Sequence, residues 1–408
     1  DMDSLFRDLP QALDASIELA EQLELSAKPE CLLVAGLPGS GKSTELRRLA
    51  QYLSSNESAG LLPVFVDAEE LLDLNSTIDI PDVVAAILFE AEKTVLEAEG
   101  KKPEEALQEG YLQRFWHWLT TTDAAIGKGN FSIPGAGSLT VELKTRPSLR
   151  QRVRTIVSSH LNQFLVAARK DLRALDLRAT RCDYGGLLII FDSLEKLRGT
   201  TSSWYDVLDS AEVFFRQSVP MLELPVHIIF TVPTALLTRL PDIELQPMLK
   251  LRTRAGEDFE PGIAAARQLI AKRLPDEILK QVLGPAFEAR CRQLALWTGG
   301  YPRQLVQLLQ GAIRGAAKGP LSEEAFTRLF ASLVEDYRML IPASVVPWLA
   351  TVAKGRFMTW KSEEHRVAAD RMLQNNVILY YKNGQGWHDL HPAVYENPAV
   401  REALEALA

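Results

Sequence analysis

Nine consecutive residues carry the clearest chemistry in this chain: Gly36-Leu37-Pro38-Gly39-Ser40-Gly41-Lys42-Ser43-Thr44. The run fits G-x-x-x-x-G-K-[ST]. Its glycines let the backbone wrap so that amide N–H groups point at phosphate oxygens. Lys42 then reaches the terminal phosphates, and the Ser43 hydroxyl is a ligand for Mg²⁺. Such a cradle needs a carboxylate for the metal at the end of a neighbouring strand. Leu187-Leu188-Ile189-Ile190-Phe191-Asp192 supplies one in Asp192. Ser193 follows, so the first carboxylate available to polarise an attacking water is Glu195. Either Glu195 takes that role, or it is a surface partner of Lys196 and hydrolysis is slow. Thr231 ends a second apolar run over 226–230. A polar side chain there can touch the terminal phosphate or orient water. The expected catalytic group is thus Asp192, Glu195 and Thr231, with Ser43 and Asp192 on the metal.

The elements around these residues follow from hydrophobic spacing. Leu9, Leu13, Ile17, Ala20 and Leu23 predict an amphipathic helix over 8–25. A strand at 31–35 leads into the glycine loop, and a helix over 42–53 leaves it. A second strand, 61–66, ends at Asp67, and a helix follows Pro81, which suits a first helical position. Residues 95–146 are less regular. They hold an aromatic cluster (Tyr111, Phe115, Trp116, Trp118), a packing core or a partner surface. They also hold a Gly-rich turn and an alternation at Leu139, Val141 and Leu143 that predicts a hairpin with 131–133. One long helix is expected over 148–178, then the strand ending at Asp192, a helix near 205–218 and the strand ending at Thr231. Short apolar runs separated by helices predict a parallel sheet covered on both faces. Helices dominate 262–333. Residues 336–408 read as helices and then a hairpin with an Asn383-Gly384 turn, the outline of a winged helix. The spacing predicts an α/β, parallel-sheet P-loop nucleotide-binding domain over 1–275 with an insertion at about 95–146. A helical lid over 276–333 and a winged-helix domain over 334–408 follow.

In this order the parts resemble a P-loop ATPase of the STAND class, the signalling branch near AAA+ that includes NACHT and NB-ARC switches. Two later motifs extend the resemblance over about 5–400. Gly299-Gly300-Tyr301-Pro302-Arg303 is similar to the family's G-x-P lid motif, which implies Pro302 near an adenine. Arg303 sits like the lid arginine of Orc/Cdc6-type AAA+ proteins, which reaches back to the phosphates. Trp387-His388-Asp389-Leu390 resembles M-H-D-L, which implies that His388 contacts the β-phosphate of ADP and locks a closed state. Leu5-Phe6-Arg7 falls where relatives place an adenine-pocket segment. The resemblance implies ATP or ADP with Mg²⁺ as ligands, slow switch-type hydrolysis, a nucleotide-dependent homo-oligomer, and signalling such as bacterial antiphage defence. This chain departs from the pattern at three points. Lys42 and Asp192 stand 150 residues apart, farther than a compact core needs. The residues given include neither the family's N-terminal effector nor its C-terminal repeat sensor, so a chain complete as given is expected to act on a separate effector or sensor protein. The alternative is an Orc/Cdc6-like or transposition-type AAA+ ATPase that binds DNA through the winged helix.

Composition narrows the setting. The 408 residues are 47% hydrophobic and 24% charged, ordinary for a globular protein, with a net charge of −8. That balance disfavours a surface that clings everywhere to nucleic acid. Residues 336–408 carry eight Lys or Arg against eight Asp or Glu, which does not favour DNA as the winged-helix ligand. A basic stretch, Arg146, Arg150, Arg152, Arg154, Arg169, Lys170, Arg173, Arg178 and Arg181, could supply an arginine finger or a phosphate stripe, or could form a solvated helix face. Cys31, Cys182 and Cys291 are far apart and odd in number, which fits a reducing, cytoplasmic setting. No apolar run reaches membrane-spanning length, so no membrane partner is expected.

Overall fold

A computed structural model describes residues 13–26, 28–55, 60–102, 111–122, 143–197, 203–317, 319–360, 362–383 and 385–407. The expected hairpin at 131–143 and the segment Leu5-Phe6-Arg7 lie outside them, apart from Leu143. In chain order the elements begin with α1 (Leu13–Leu25), β1 (Cys31–Gly36), α2 (Lys42–Leu53), β2 (Leu62–Asp67), α3 (Ala68–Leu71) and α4 (Ile80–Ala98). Next come α5 (Tyr111–Thr122), α6 (Pro147–Ser159), α7 (Leu161–Thr180), β3 (Leu187–Asp192), α8 (Trp204–Val213), α9 (Val219–Leu222), β4 (His227–Val232) and β5 (Ile243–Gln246). The rest is α10 (Glu260–Ala271), α11 (Asp276–Leu283), α12 (Phe287–Trp297), α13 (Pro302–Gly315), α14 (Glu323–Leu340), α15 (Val346–Gly355), α16 (Glu363–Gln374), β6 (Ile378–Asn383), β7 (Gln385–Leu390), α17 (Pro392–Tyr395) and α18 (Pro398–Glu405).

Five strands form one sheet in the order β2-β3-β4-β1-β5. β2 runs parallel to β3, with Asp67 opposite Asp192, and β3 runs parallel to β4, with Phe191 opposite Phe230. This is the expected α/β parallel-sheet fold, with the glycine loop between β1 and α2 and the helix-rich segment after β5. The chain divides into two compact units. Ala35–Arg48 and Leu245–Ala408 belong to one, which we call the loop unit. Leu19–Val34 and Leu49–Glu244 belong to the other, the sheet unit.

The sheet unit is built on β3, whose Leu187 to Phe191 are all buried. Such strands read as continuous apolar runs because helices cover both faces. Phe191, Phe214, Phe215 and Phe230 pack ring against ring at centroid distances of 5.2–6.4 Å. Burying each such side chain is worth about 1.5–3 kcal/mol. The long helix expected over 148–178 is two helices, α6 and α7, broken at His160 (φ −129°, ψ 29°). Ser158 and Ser159 hydroxyls bond back to the carbonyls of Arg154 and Thr155, a pattern that bends helices. The helix near 205–218 widens into a π turn over Phe214–Ser218. Pro220 has no N–H for the Arg216 carbonyl, so the regular ladder cannot continue there. Phe115 is buried, stacking with Trp118 at 6.0 Å and meeting Phe164 at 5.3 Å, so these two rings of the aromatic cluster pack inward.

In the loop unit, Trp297 stacks on Phe330 at 4.7 Å, and Phe326 meets Phe330 edge-on. β6 and β7 pair antiparallel, with Tyr381 stacked on Trp387 at 4.5 Å. Helices α14 to α16 followed by this hairpin give the expected order of the last segment, although Gly384 of its turn is outside the described residues. No helix among the described residues is long and apolar enough to cross a membrane.

Candidate functional site

The phosphate loop lies in the loop unit. Lys42 is 5% exposed, and its Nζ donates to the Gly36 carbonyl at 2.9 Å. The ammonium is thus folded back over the loop that it closes. Within α2, Thr44 and Glu45 both return their N–H groups to the Gly41 carbonyl at 3.0 Å. Lys42 and Ser43 open the helix, where backbone N–H groups have no partner in the preceding turn, and such a terminus favours an anion. Ser40 is 6% exposed, and its Oγ has no hydrogen-bond partner among the described residues. A buried hydroxyl in that state costs about 1–3 kcal/mol. Together, a buried cation, opening amides and an orphaned hydroxyl fit a phosphate group with its Mg²⁺.

The Gly299–Arg303 segment meets the apex of this loop. Gly39 has φ +83°, and a Cβ there would stand 2.8 Å from the Tyr301 ring and from Cβ and Nε of Arg303. Only glycine allows that approach. Arg303 follows Pro302 at the start of α13, so the structure brings Gly39 and Arg303 together. Gly300, at φ +83°, is equally restricted, because its Cβ would fall 1.7 Å from the Leu249 carbonyl. Asn376, just past α16, donates from Nδ2 to the Pro38 carbonyl at 3.3 Å. Tyr301 hydrogen-bonds with both Asn376 and Arg303, and burial pushes its phenol above the usual value. Nothing in the sequence singles out Asn376. Its signal was a left-handed backbone (φ +55°) at a helix C-terminus, a position common for Asn.

His388 lies on β7 opposite Tyr380, with ring centroids 5.3 Å apart. Its backbone N–H donates to the Arg356 carbonyl at 2.9 Å, and its Nδ1 has no partner among the described residues. Burial lowers its pKa to about 4. None of the contacts described for it reaches the phosphate loop. Next to it, Asp389 pairs with Arg356 and accepts from the Tyr395 hydroxyl. Deeper in the unit, His391 Nε2 lies 2.6 Å from Gln304 Oε1, and its ring stacks on Tyr337 at 4.1 Å. The Ala393 N–H donates to Nδ1 at 3.2 Å, which places the proton of a neutral ring on Nε2.

The expected catalytic residues lie together in the sheet unit. Thr231 at the end of β4 is fully buried, and its hydroxyl donates to Glu195 Oε2 at 2.8 Å. It also accepts from the Leu194 N–H at 3.2 Å. Ser193 is buried with φ +69°, a left-handed conformation unusual for serine. Its N–H donates to Asp192 Oδ1 at 2.8 Å. This kink after β3 turns the chain so that Glu195, in the single turn Leu194–Lys196, comes back to β4. Lys196 does not pair with its neighbour Glu195 but with Glu69 on α3.

Four residues of the basic stretch are engaged inside the sheet unit. Arg150 pairs with Asp73 at 3.0 Å, Arg154 donates from Nε to Asp82 at 3.0 Å and Arg178 grips Glu99 through two bonds of 2.7 and 2.9 Å. Arg169 donates to the Leu222 carbonyl at 2.8 Å. These four are not available as fingers or phosphate contacts. No cluster of metal-ligating side chains occurs among the described residues.

No protein-family model matches the chain, and no curated protein matches it. Among solved structures, the Cdc6p protein of Pyrobaculum aerophilum is similar over 99% of this chain and 98% of its own, at 11% identity and a TM-score of 0.38. The Orc1 protein of Aeropyrum pernix, in complex with DNA, is similar over 98% and 95%, at 15% identity and a TM-score of 0.35. Likeness at this level speaks to neither activity nor partner. The fold class rests on the strand order and on the glycine loop between β1 and α2.

Proposed function

We propose that the chain is an AAA+/STAND-type ATPase switch that binds ATP and ADP with Mg²⁺ and hydrolyses ATP slowly. The observation that carries this reading is the contact between the phosphate loop and the lid motif. Gly39 fits only beneath Tyr301 and Arg303, so whatever the loop holds can be felt by the helices beyond it. Gly36, Pro38, Gly39, Ser40, Gly41, Lys42, Ser43 and Thr44 cradle the phosphates, Pro302 lies toward the base and Arg303 toward the phosphates. Mg²⁺ supplies charge neutralisation of the phosphate oxygens, with Ser43 and Asp192 as its side-chain ligands. Glu195 orients the water, and its bond to Thr231 supports slow turnover, because that bond occupies one of its oxygens and restrains the side chain. In the ADP state His388 holds the C-terminal segment closed. ATP opens it for self-association and for a separate effector or sensor, in the cytoplasm, with bacterial antiphage defence as the setting that the resemblance implies.

Calorimetry on Lys42→Ala tests the nucleotide site. ATP affinity falls tenfold or more, about 1.4 kcal/mol; unchanged affinity overturns the assignment. Glu195→Gln spares binding and slows turnover. His388→Ala releases ADP faster and self-associates with ATP without a trigger; identical ADP release leaves an ATPase without the proposed lock. Salt-dependent binding to duplex DNA would favour the Orc/Cdc6-like alternative.

A further inference from the structure

The apex of the phosphate loop is held by two side chains that belong to none of the assigned roles. Asn376 Nδ2 donates to the Pro38 carbonyl. The same side chain hydrogen-bonds with the Tyr301 hydroxyl, and Tyr301 hydrogen-bonds with Arg303. The Tyr301 ring in turn lies where a Cβ on Gly39 would be. Asn376 is 6% exposed, as is Ser40, and two of their polar atoms, Asn376 Oδ1 and Ser40 Oγ, have no partner among the described residues. Buried polar atoms are nearly always satisfied, so unsatisfied ones at a glycine-rich loop point to a missing polar ligand.

We propose that Asn376 and Tyr301 latch the apex of the phosphate loop to the C-terminal helices and hairpin, making Asn376 a positioning residue for the bound nucleotide. The inference rests on the nucleotide reading above and adds its coupling element. The Pro38 carbonyl belongs to the peptide that carries the Pro38–Gly39 bond. Pinning it fixes the plane from which the Gly39, Ser40 and Gly41 amides fan out. Gly39 and Gly41 both have positive φ, and glycine crosses between backbone wells easily. A loop with two such residues therefore needs an external hold to keep one set of amides aimed at phosphate. Asn376 acts through that peptide, and its own left-handed backbone places the amide without a strand or helix behind it. The hold does not involve His388.

Amide exchange of the loop in nucleotide-free protein tests the latch directly, and the release rate of a fluorescent ADP analogue tests its consequence. Asn376→Gly keeps the left-handed backbone while deleting the side chain, and Tyr301→Phe removes only the hydroxyl. One neutral hydrogen bond corresponds to about 2- to 12-fold. Each variant is expected to speed exchange across 37–41 by that factor, to speed ADP release alike, and to leave exchange across Leu187–Asp192 unchanged. Asn376→Asp keeps shape and backbone but has no N–H to donate, so it behaves like Asn376→Gly. Loop exchange equal to wild type in Asn376→Gly and Tyr301→Phe overturns the latch. So does wild-type exchange in Asn376→Asp. A wild-type chain that binds no ADP removes the nucleotide reading instead, and loop exchange still decides the latch.

Discussion

The two regions that hold the expected site residues differ in how far folding completes them. At the strand ends of the sheet unit, the chain satisfies its own polar groups. Thr231 donates to Glu195 and accepts from the Leu194 N–H, and Asp192 accepts from the Ser193 N–H. In the loop unit, Ser40 Oγ, Asn376 Oδ1 and His388 Nδ1 are buried without a partner among the described residues. A satisfied network is rigid and specifies one geometry, while an unsatisfied buried atom raises the energy of the empty state. The strand ends of the sheet unit are thus set by the chain itself, and on the proposed reading the loop unit is the part that a nucleotide would finish.

Mild acid should separate the two most strongly. In the loop unit, burial lowers His388 to about 4 and His391 to about 3, from 6.5. Below pH 6.5 the unfolded chain binds protons that the folded unit refuses. Their stability is intact above pH 6.5 and is lost progressively as pH falls toward 4 and 3. Each histidine costs about 1.4 kcal/mol per pH unit, so about 4 kcal/mol is gone by pH 5. Asp389, raised by burial, offsets part of this. In the sheet unit burial lowers His227 but raises Asp82, Asp176 and Glu90. Carboxylates that bind protons more readily when folded gain stability as pH falls. Pulse proteolysis in urea at pH 7 and pH 5, with fragments read by mass spectrometry, follows each unit. The loop unit should lose its protection first; earlier loss in the sheet unit would break the contrast.

A smaller effect tests whether the strand-end network is finished as it stands. Thr231→Val keeps the shape but removes the acceptor of the Leu194 N–H and the hydroxyl that donates to Glu195. The cost should be about 1–3 kcal/mol in the sheet unit, measured by urea unfolding, with nucleotide affinity unchanged. If Thr231 restrains Glu195, turnover per bound ATP rises in this variant. If Thr231 itself orients the water, turnover falls. Unchanged stability would mean that the hydroxyl bonds are not formed in solution.

Much of this was legible because local pattern and fold agreed. The strands ending at Asp192 and Thr231 are uninterrupted apolar runs, and the loop between β1 and α2 follows from glycine spacing. β5 is not legible in the sequence. Ile243-Glu244-Leu245-Gln246 is four residues long and lies between Pro241 and Pro247, too short for its alternation to stand out. The break at His160 depends on two serine hydroxyls turning back on the helix. Glu195 and Thr231 each stand out at or just past the end of an apolar run, but their bond joins residues 36 apart, which no spacing rule encodes. Asn376 reaches Pro38 across 338 residues. Such contacts arise when the fold closes, and Asn is an ordinary residue at a helix end.

The smallest expected effect concerns Lys196 and Glu69, the exposed edge of the strand-end network. Lys196 is adjacent to Glu195 in the single turn after β3, and Glu69 lies on α3, just beyond the Asp67 that faces Asp192. Their side chains are 40% and 60% exposed. Exposed pairs of this kind are worth about 0–1 kcal/mol and weaken with salt. Lys196→Met should therefore change the stability of the sheet unit by no more than that. Its position still gives it leverage on geometry, because it anchors one end of the three-residue turn whose middle residue is Glu195. With the anchor gone, the bonds described for the turn are those to Thr231 and those from the Lys196 and Leu197 N–H groups to Ser193 and Leu194. A modest misplacement of a carboxylate that orients water lowers kcat and leaves binding alone. The expectation is a severalfold fall in kcat with nucleotide affinity unchanged, repeated by Glu69→Gln and not additive when the two are combined. Equal kcat in both variants would confine the pair to the surface and leave Thr231 as the main hold on Glu195.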